Sequence, residues 1–242
     1  VNALANPDVG AFLNQHFVSS FQKVATFQIV NGQKQGGNVA SYFCAPDGRV
    51  LHCVAGPVDA ATMLREAKWV VDSVKKAMEE NRKTEVPFKA LFRRWHAERL
   101  RQEFGLVVEP ATFDAPTSRE DDPLTYNDPT GRPVLPVLVL PPIDGPDVQF
   151  RAMAKEAAAD AAPGANIVAC RKGGRWSLGN QGRVHQLMSA YSMTKIEKVY
   201  ATVFESILGE RVSTKPVITI NARDNERRVI CLTCESKAHA QD

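Results

Sequence analysis

Apolar residues return every three or four positions along several stretches of this chain, and every second position or in short unbroken runs along others. Val9, Phe12, Leu13 and Phe17 follow the helical spacing. Asn6 stands ready to cap that helix, Pro7 suits its first position and Asp8 its positive end, so a helix is predicted over 7–17. The run 21–30, rich in Phe, Val, Thr and Ile, reads as a strand with apolar residues on both faces. The glycine-rich 31–37 stretch reads as a loop. Strands over 39–44 and 49–54, joined by Ala45-Pro46-Asp47-Gly48, form a predicted hairpin. A long helix then opens at Gly56-Pro57 and runs to about residue 80. Leu64, Ala67, Val71, Val74 and Met78 are its predicted buried stripe.

A further helix is predicted over 87–104, with Phe88, Leu91, Phe92 and Trp95 on its apolar face. Between 109 and 133, Asp and Glu mix with five prolines, which marks an exposed linker and a candidate domain boundary. Beyond it come an edge strand at 134–140, interrupted by Pro136, and a helix carrying Phe150, Met153, Ala154, Ala157 and Ala158. A strand at 166–170 with a turn at 171–174 follows, then a short helix bearing Val184, Leu187, Met188 and Tyr191. Thr194 with Glu197 spells a capping box for a helix over 194–208 that Gly209 ends. The runs 217–220 and 228–234 read as a terminal hairpin. The expected class is α/β.

Residues 1 to about 80 carry a resemblance. The stretches "NPDVGAFLNQHFV", "SYFCAPDGRVLHCVAG" and "PVDAATMLREAKWVV" resemble the C-terminal two-thirds of a thioredoxin-like domain. They follow its order of helix, buried strand, hairpin and last helix. The resemblance implies an incomplete thioredoxin-like unit at 1–83 and places the hairpin beside the 21–30 strand. The pattern and composition beyond it divide the rest into a helix and Pro/Asp-rich linker at 84–133 and a mixed α/β region of unknown fold at 134–242. Two family features are missing. No Cys-x-x-Cys precedes Phe21, and Val39 stands where the family has a cis-proline, so a trans bond is expected there. The chain begins at Val1 without Met, which suggests an upstream segment; a removed signal would fit export.

The cysteines add little to this. There are five, too few for a disulfide scaffold at 242 residues. Cys44 and Cys53 flank the hairpin out of register, so no bond is expected between them. Cys231 and Cys234 form the one Cys-x-x-Cys. They are the candidate redox pair, but too little chain follows them for a helix that would activate a thiol, and both are expected to titrate at about 8.5. The loop Gln33, Lys34, Gln35, Gly36 and Gly37 is the speculative binding surface. Zinc lacks a second Cys/His pair at ligand spacing, and His239 does not complete one, so neither metal nor cofactor is expected. His52 is expected to face solvent, His96 and His185 to lie on helix surfaces and His16 to be packed.

Charge and composition narrow the class. Thirty basic against 27 acidic residues give +3, and Glu98 and Glu103 dilute the arginines at 93–101, so no nucleic acid is expected. No apolar run is long enough for a membrane helix. Nucleotide signatures are absent, and Gly174 to Gly179 lacks the spacing of a nucleophile elbow. The expected function is a non-catalytic, thioredoxin-like protein with a binding or structural role and a protein as candidate partner. The alternative is a thiol-disulfide oxidoreductase whose redox site lies upstream of Val1 or at Cys231/Cys234.

Overall fold

The computed structural model describes residues 3–22, 28–30, 33–35, 38–108, 138–145, 169–172, 175–210, 212, 217–220 and 227–230. Helices dominate, joined by small sheets: α1 Pro7–His16, β1 Gln28–Val30, β2 Gln33–Gln35, β3 Ala40–Cys44, β4 Val50–Ala55, α2 Ala60–Thr84, α3 Phe88–Phe104, β5 Val107–Val108 and β6 Ile143–Asp144. Then come β7 Ala169–Lys172, β8 Arg175–Leu178, α4 Asn180–Tyr191, α5 Ile196–Thr202, β9 Val217–Ile220 and β10 Arg227–Ile230. The class is mixed helix and strand.

Local signals hold where the chain satisfies its own backbone. The Asn6 side chain accepts from the Asp8 and Val9 amides, with Pro7 in the first turn. Asp59 does the same for Thr62 at the start of α2. The stripe of α2 is shifted from the one the apolar pattern predicts: Ala67 is buried as expected, and Leu64 and Val74 pack at its border. Met63, Glu66, Ala67, Val70, Ser73 and Ala77 are buried, while Met78 is 51% exposed. Two polar residues occupy the inner face and shift its apparent phase.

The β3–β4 hairpin is the centre of the molecule. All six positions of β4 are buried, so it is covered on both faces. Phe43, Leu51 and Val54 pack with Val9 of α1, Met63, Ala67 and Val70 of α2 and Leu91 and Phe92 of α3. Val50, Cys53 and Ala55 pack with Val184, Leu187 and Met188 of α4 and with Val199 of α5. The helix predicted over 194–208, beyond the candidate domain boundary, therefore shares its core with the hairpin. Cys44 and Cys53 are both free, and Cys53 faces Tyr42 across the ladder.

The ladder slips between Phe43 and Cys44, leaving Leu51 without a cross-strand partner. Its carbonyl instead accepts from Ser192 Oγ at 3.1 Å and from His96 Nε2 at 2.9 Å. The Val50 amide donates to the Thr194 carbonyl, and the Met193 amide to the Val50 carbonyl. This strand-like pairing takes Thr194 away from the predicted capping box. Lys195 is the cap residue, without a side-chain bond, and α5 ends after seven residues in a π-helical turn, Val203–Ile207. Gly209, in the left-handed region, follows.

The strand expected beside the hairpin goes elsewhere. β1 pairs antiparallel with β2 and parallel with β9, in a four-stranded sheet ordered β10-β9-β1-β2. The Val/Ile/Thr run at 217–220 offers β1 a partner that neighbours in sequence do not reveal. The predicted terminal hairpin is present as β9–β10. Arg171 and Lys172, predicted as turn, belong to strand β7, which pairs antiparallel with β8, a strand that the sequence pattern does not predict. Among the described residues no peptide bond is cis, and no helix is long and apolar enough to cross a membrane. The predicted 150–158 helix, the 109–133 linker and most of the 134–140 strand lie outside the described residues.

Gly56 closes the hairpin with φ +89°, and its amide donates to the Val39 carbonyl. A Cβ there would lie 3.3 Å from Asn180 Nδ2 and 3.5 Å from Leu208 Cδ2. Gly48, φ +81°, has nothing within 4 Å. Gly48→Ala is expected to cost about 1 kcal/mol of stability, the left-handed penalty alone. Gly56→Ala is expected to cost about 2–3 kcal/mol, since crowding is added to the same strain. Urea denaturation of both variants checks this; equal losses would mean that the contact to α4 contributes nothing.

Candidate metal centre

Three histidines from three elements meet in the interior. His52 lies on β4, His96 on α3 and His185 on α4, and each is 0% exposed. This overturns the surface positions that the sequence suggests for all three. His16, expected to be packed, is exposed, with its ring 4.5 Å from that of Phe12. The local reasons are simple. His52 sits in a six-residue run buried on both faces. His96 falls one turn from Phe92 and one turn from Leu100, in phase with the buried side of α3. His185 lies between Val184 and Leu187 on the buried side of α4.

The three ring centroids are 5.1–5.3 Å apart. Each ring offers one nitrogen, and these nitrogens all lie within 4.8 Å of one another. Partner chemistry fixes the protons. His96 Nε2 faces the Leu51 carbonyl, which only accepts, so Nε2 carries the hydrogen and Nδ1 the lone pair. His96 Nδ1 points at His185 Nδ1 at 2.9 Å. His52 Nε2 lies 3.1 Å from Glu66 Oε2, so it donates to that carboxylate and leaves its own Nδ1 as a lone pair. Gln181, one turn before His185, donates from Nε2 to the Cys53 carbonyl at 3.0 Å and also lies 3.3 Å from His52 Nε2. His52 Nδ1 and His185 Nε2 are buried without a hydrogen-bond partner.

Glu66 is itself held in place. Arg99 donates from Nη1 to Oε2 at 2.6 Å and from Nη2 to Oε1 at 2.8 Å, a bidentate pair. Arg65 adds a contact to Oε1 at 3.0 Å. Arg99 is 8% exposed, so this member of the 93–101 arginine run lies inside rather than on a solvated helix face. Arg94, by contrast, is exposed and pairs with Glu80 and Glu98. Trp69 completes the enclosure. Its ring meets those of His52 and His96 edge-on at 5.0 Å and that of His185 at 6.2 Å, and the Arg99 guanidinium lies over it at 4.9 Å.

Burial sets the protonation of the cluster. It pushes His52 below the ordinary histidine value, although the bond to Glu66 pulls the other way. Burial, with the neighbouring histidines, holds His96 and His185 well below it. All three are neutral at pH 7, the form that ligates a metal. Burial alone would raise Glu66; the bonds from His52 and Arg99 overcome that and hold its carboxyl well below the usual range.

Cys231, Cys234 and His239 lie outside the described residues, as do Gly36 and Gly37. Gln33–Gln35 form β2 rather than a loop. Burial pushes the Cys44 thiol up to about 11 and raises Cys53 as well, so neither supplies a thiolate at neutral pH. Comparison with protein-family models, curated proteins and solved structures finds no match to this chain.

Proposed function

We propose that this protein is a non-catalytic metal-binding protein that holds a borderline divalent ion, zinc foremost, on His52, His96 and His185. One observation carries the reading. His52 gives its Nε2 hydrogen to Glu66 and His96 gives its Nε2 hydrogen to Leu51, so both turn an Nδ1 lone pair away from those partners. Metal-bound histidines are oriented in this way, the outer nitrogen tied to a carboxylate or a carbonyl. An ion would also partner His52 Nδ1, which is otherwise buried alone. Tetrahedral zinc at 2.0–2.1 Å needs ligand nitrogens about 3.3 Å apart; here one nitrogen of each ring lies within 4.8 Å of the others, so the rings would close by up to about 1.5 Å around an ion. Neutral imidazoles select zinc, copper, nickel or cobalt over calcium and magnesium, which prefer oxygen.

The binding class follows from enclosure. With all three rings sealed from solvent, an organic substrate has no approach to a bound ion. An ion there would tie β4, α3 and α4 together. This keeps the non-catalytic role expected from sequence but moves it from the Gln33–Gly37 segment to the interior. A thioredoxin-like origin for residues 1–80 is supported by the hairpin followed by a long helix. The pairing of β1 with β9 rather than with the hairpin counts against it.

Titrating chelator-stripped protein with Co2+ tests the reading, since tetrahedral Co2+ absorbs visibly. We expect one ion per chain and a gain of about 2.7 kcal/mol in stability when free Zn2+ reaches about 100 times its Kd. His96→Ala and His185→Ala should abolish the spectrum. Glu66→Gln should weaken affinity about 10–100-fold while leaving the ligand set intact. No binding by the native chain, or full binding after loss of two histidines, would remove the proposal.

A further inference from the structure

Resting on the metal reading, we propose that Trp69 is the shutter of this site, and that ions enter and leave through the groove between α2 and α3. The groove has a volume of about 230 Å³ and is lined by Trp69, Ser73 and Lys76 of α2 and by Trp95, Glu98 and Arg99 of α3. Those positions recur at helical spacing, so the groove follows the seam where the two helices face each other. Trp69 belongs to both places. It lines the groove, and its ring lies 5.0 Å from those of His52 and His96. Trp69 and Arg99 are the lining residues shown to reach the cluster as well, so they border the passage from groove to histidines.

The neighbouring residues make Trp69 the movable part. Arg99 also borders the groove, but its two bonds to Glu66 and a third to Glu103 pin it. Trp69 makes ring contacts with three imidazoles and the guanidinium above it and packs at the edge of the core around Phe43 and Leu51, but no side-chain hydrogen bond holds it among its described interactions. Turning it toward the groove breaks no hydrogen bond among them, and the groove offers space on that side. A shutter of this kind controls rates without setting affinity, because the ion's ligands are the same whether the door is heavy or light.

The experiment is Zn2+ exchange. Protein loaded with Zn2+ is mixed with excess chromophoric chelator to read release, and stripped protein is mixed with Zn2+ to read uptake. Trp69→Ala is expected to speed both by about tenfold or more; uptake is the decisive readout, because loss of support for the ligands would speed release but not uptake. Trp69→Phe, which keeps an aromatic ring and the core, should give a smaller acceleration of both. Rates within twofold of native in both variants, roughly the scatter of such data, would overturn the shutter while leaving the metal site intact. So would release that speeds up only as far as Kd weakens, since Trp69 would then be supporting the ligands. If the native chain takes up no Zn2+ at equilibrium, the metal reading fails first and the shutter falls with it.

Discussion

Arg99→Ala should cost this protein about 3–5 kcal/mol of stability, the loss typical of breaking a buried ion pair from one side. The Glu66 carboxylate is 0% exposed, and Arg99 supplies its two shortest bonds. Removing the guanidinium leaves a charge in the interior held only by Arg65, which is 55% exposed, and by His52. The variant also loses the cation over Trp69 and a hydrogen-bonded side chain packed between α2 and α3. Glu66→Gln removes the charge along with its need for one and should cost less. Urea unfolding of both variants, stripped of metal, decides the matter. If Arg99→Ala lies within about 1 kcal/mol of native, the pair behaves as a surface bridge and the enclosure described for it is wrong.

Stability of the metal-free protein should fall steeply as pH drops below about 6.5. Burial depresses the pKa of His52, His96 and His185 in the folded chain. The unfolded chain binds a proton at each below about pH 6.5, and the folded chain does not, so unfolding takes up protons and is favoured by acid. The contribution is complete above that pH and is lost as pH falls toward the depressed folded values. With three groups the limiting slope is about 4 kcal/mol per pH unit. Glu66, also depressed, contributes above about pH 4.3 and is lost below it, so its loss adds to the same fall at lower pH. Urea midpoints measured in chelator from about pH 8 to about pH 5 show the trend directly. A flat profile would mean that the histidines reach solvent. Excess Zn2+ should move the fall to lower pH, because the ion competes with protons for the same nitrogens.

Much of the secondary structure was legible because it is decided within a few residues. Asn6-Pro7-Asp8 writes a helix start that needs nothing distant. Ala45-Pro46-Asp47-Gly48 writes a turn, with Gly48 in the left-handed region and its amide bonded to Ala45. The 194–208 helix was less legible. Its capping residue is claimed by Val50, which lies far off in sequence. The phase of α2 was misread because Glu66, normally a sign of the solvent side, is satisfied inside by Arg99 and His52.

The candidate site was the least legible part. Its ligands come one per element, and His96 and His185 are 89 residues apart, so no ligand spacing exists to be read. The available signal was phase: His96 and His185 share helix faces with Leu and Val, and His52 interrupts an apolar run. A histidine in such a place reads as buried, but not as near another histidine.

By itself, then, the sequence determined the helices α1 to α4 and the β3–β4 hairpin. Capping, turn formation and helical periodicity are local, and each is complete within one or two turns of chain. Only the tertiary structure decided that β1 pairs with β9, that Leu51 bulges to free its carbonyl, and that three imidazoles share one enclosed space. Those outcomes depend on which distant groups satisfy one another once water is excluded. A buried carboxylate finds its arginine, and a carbonyl without a strand partner finds a histidine.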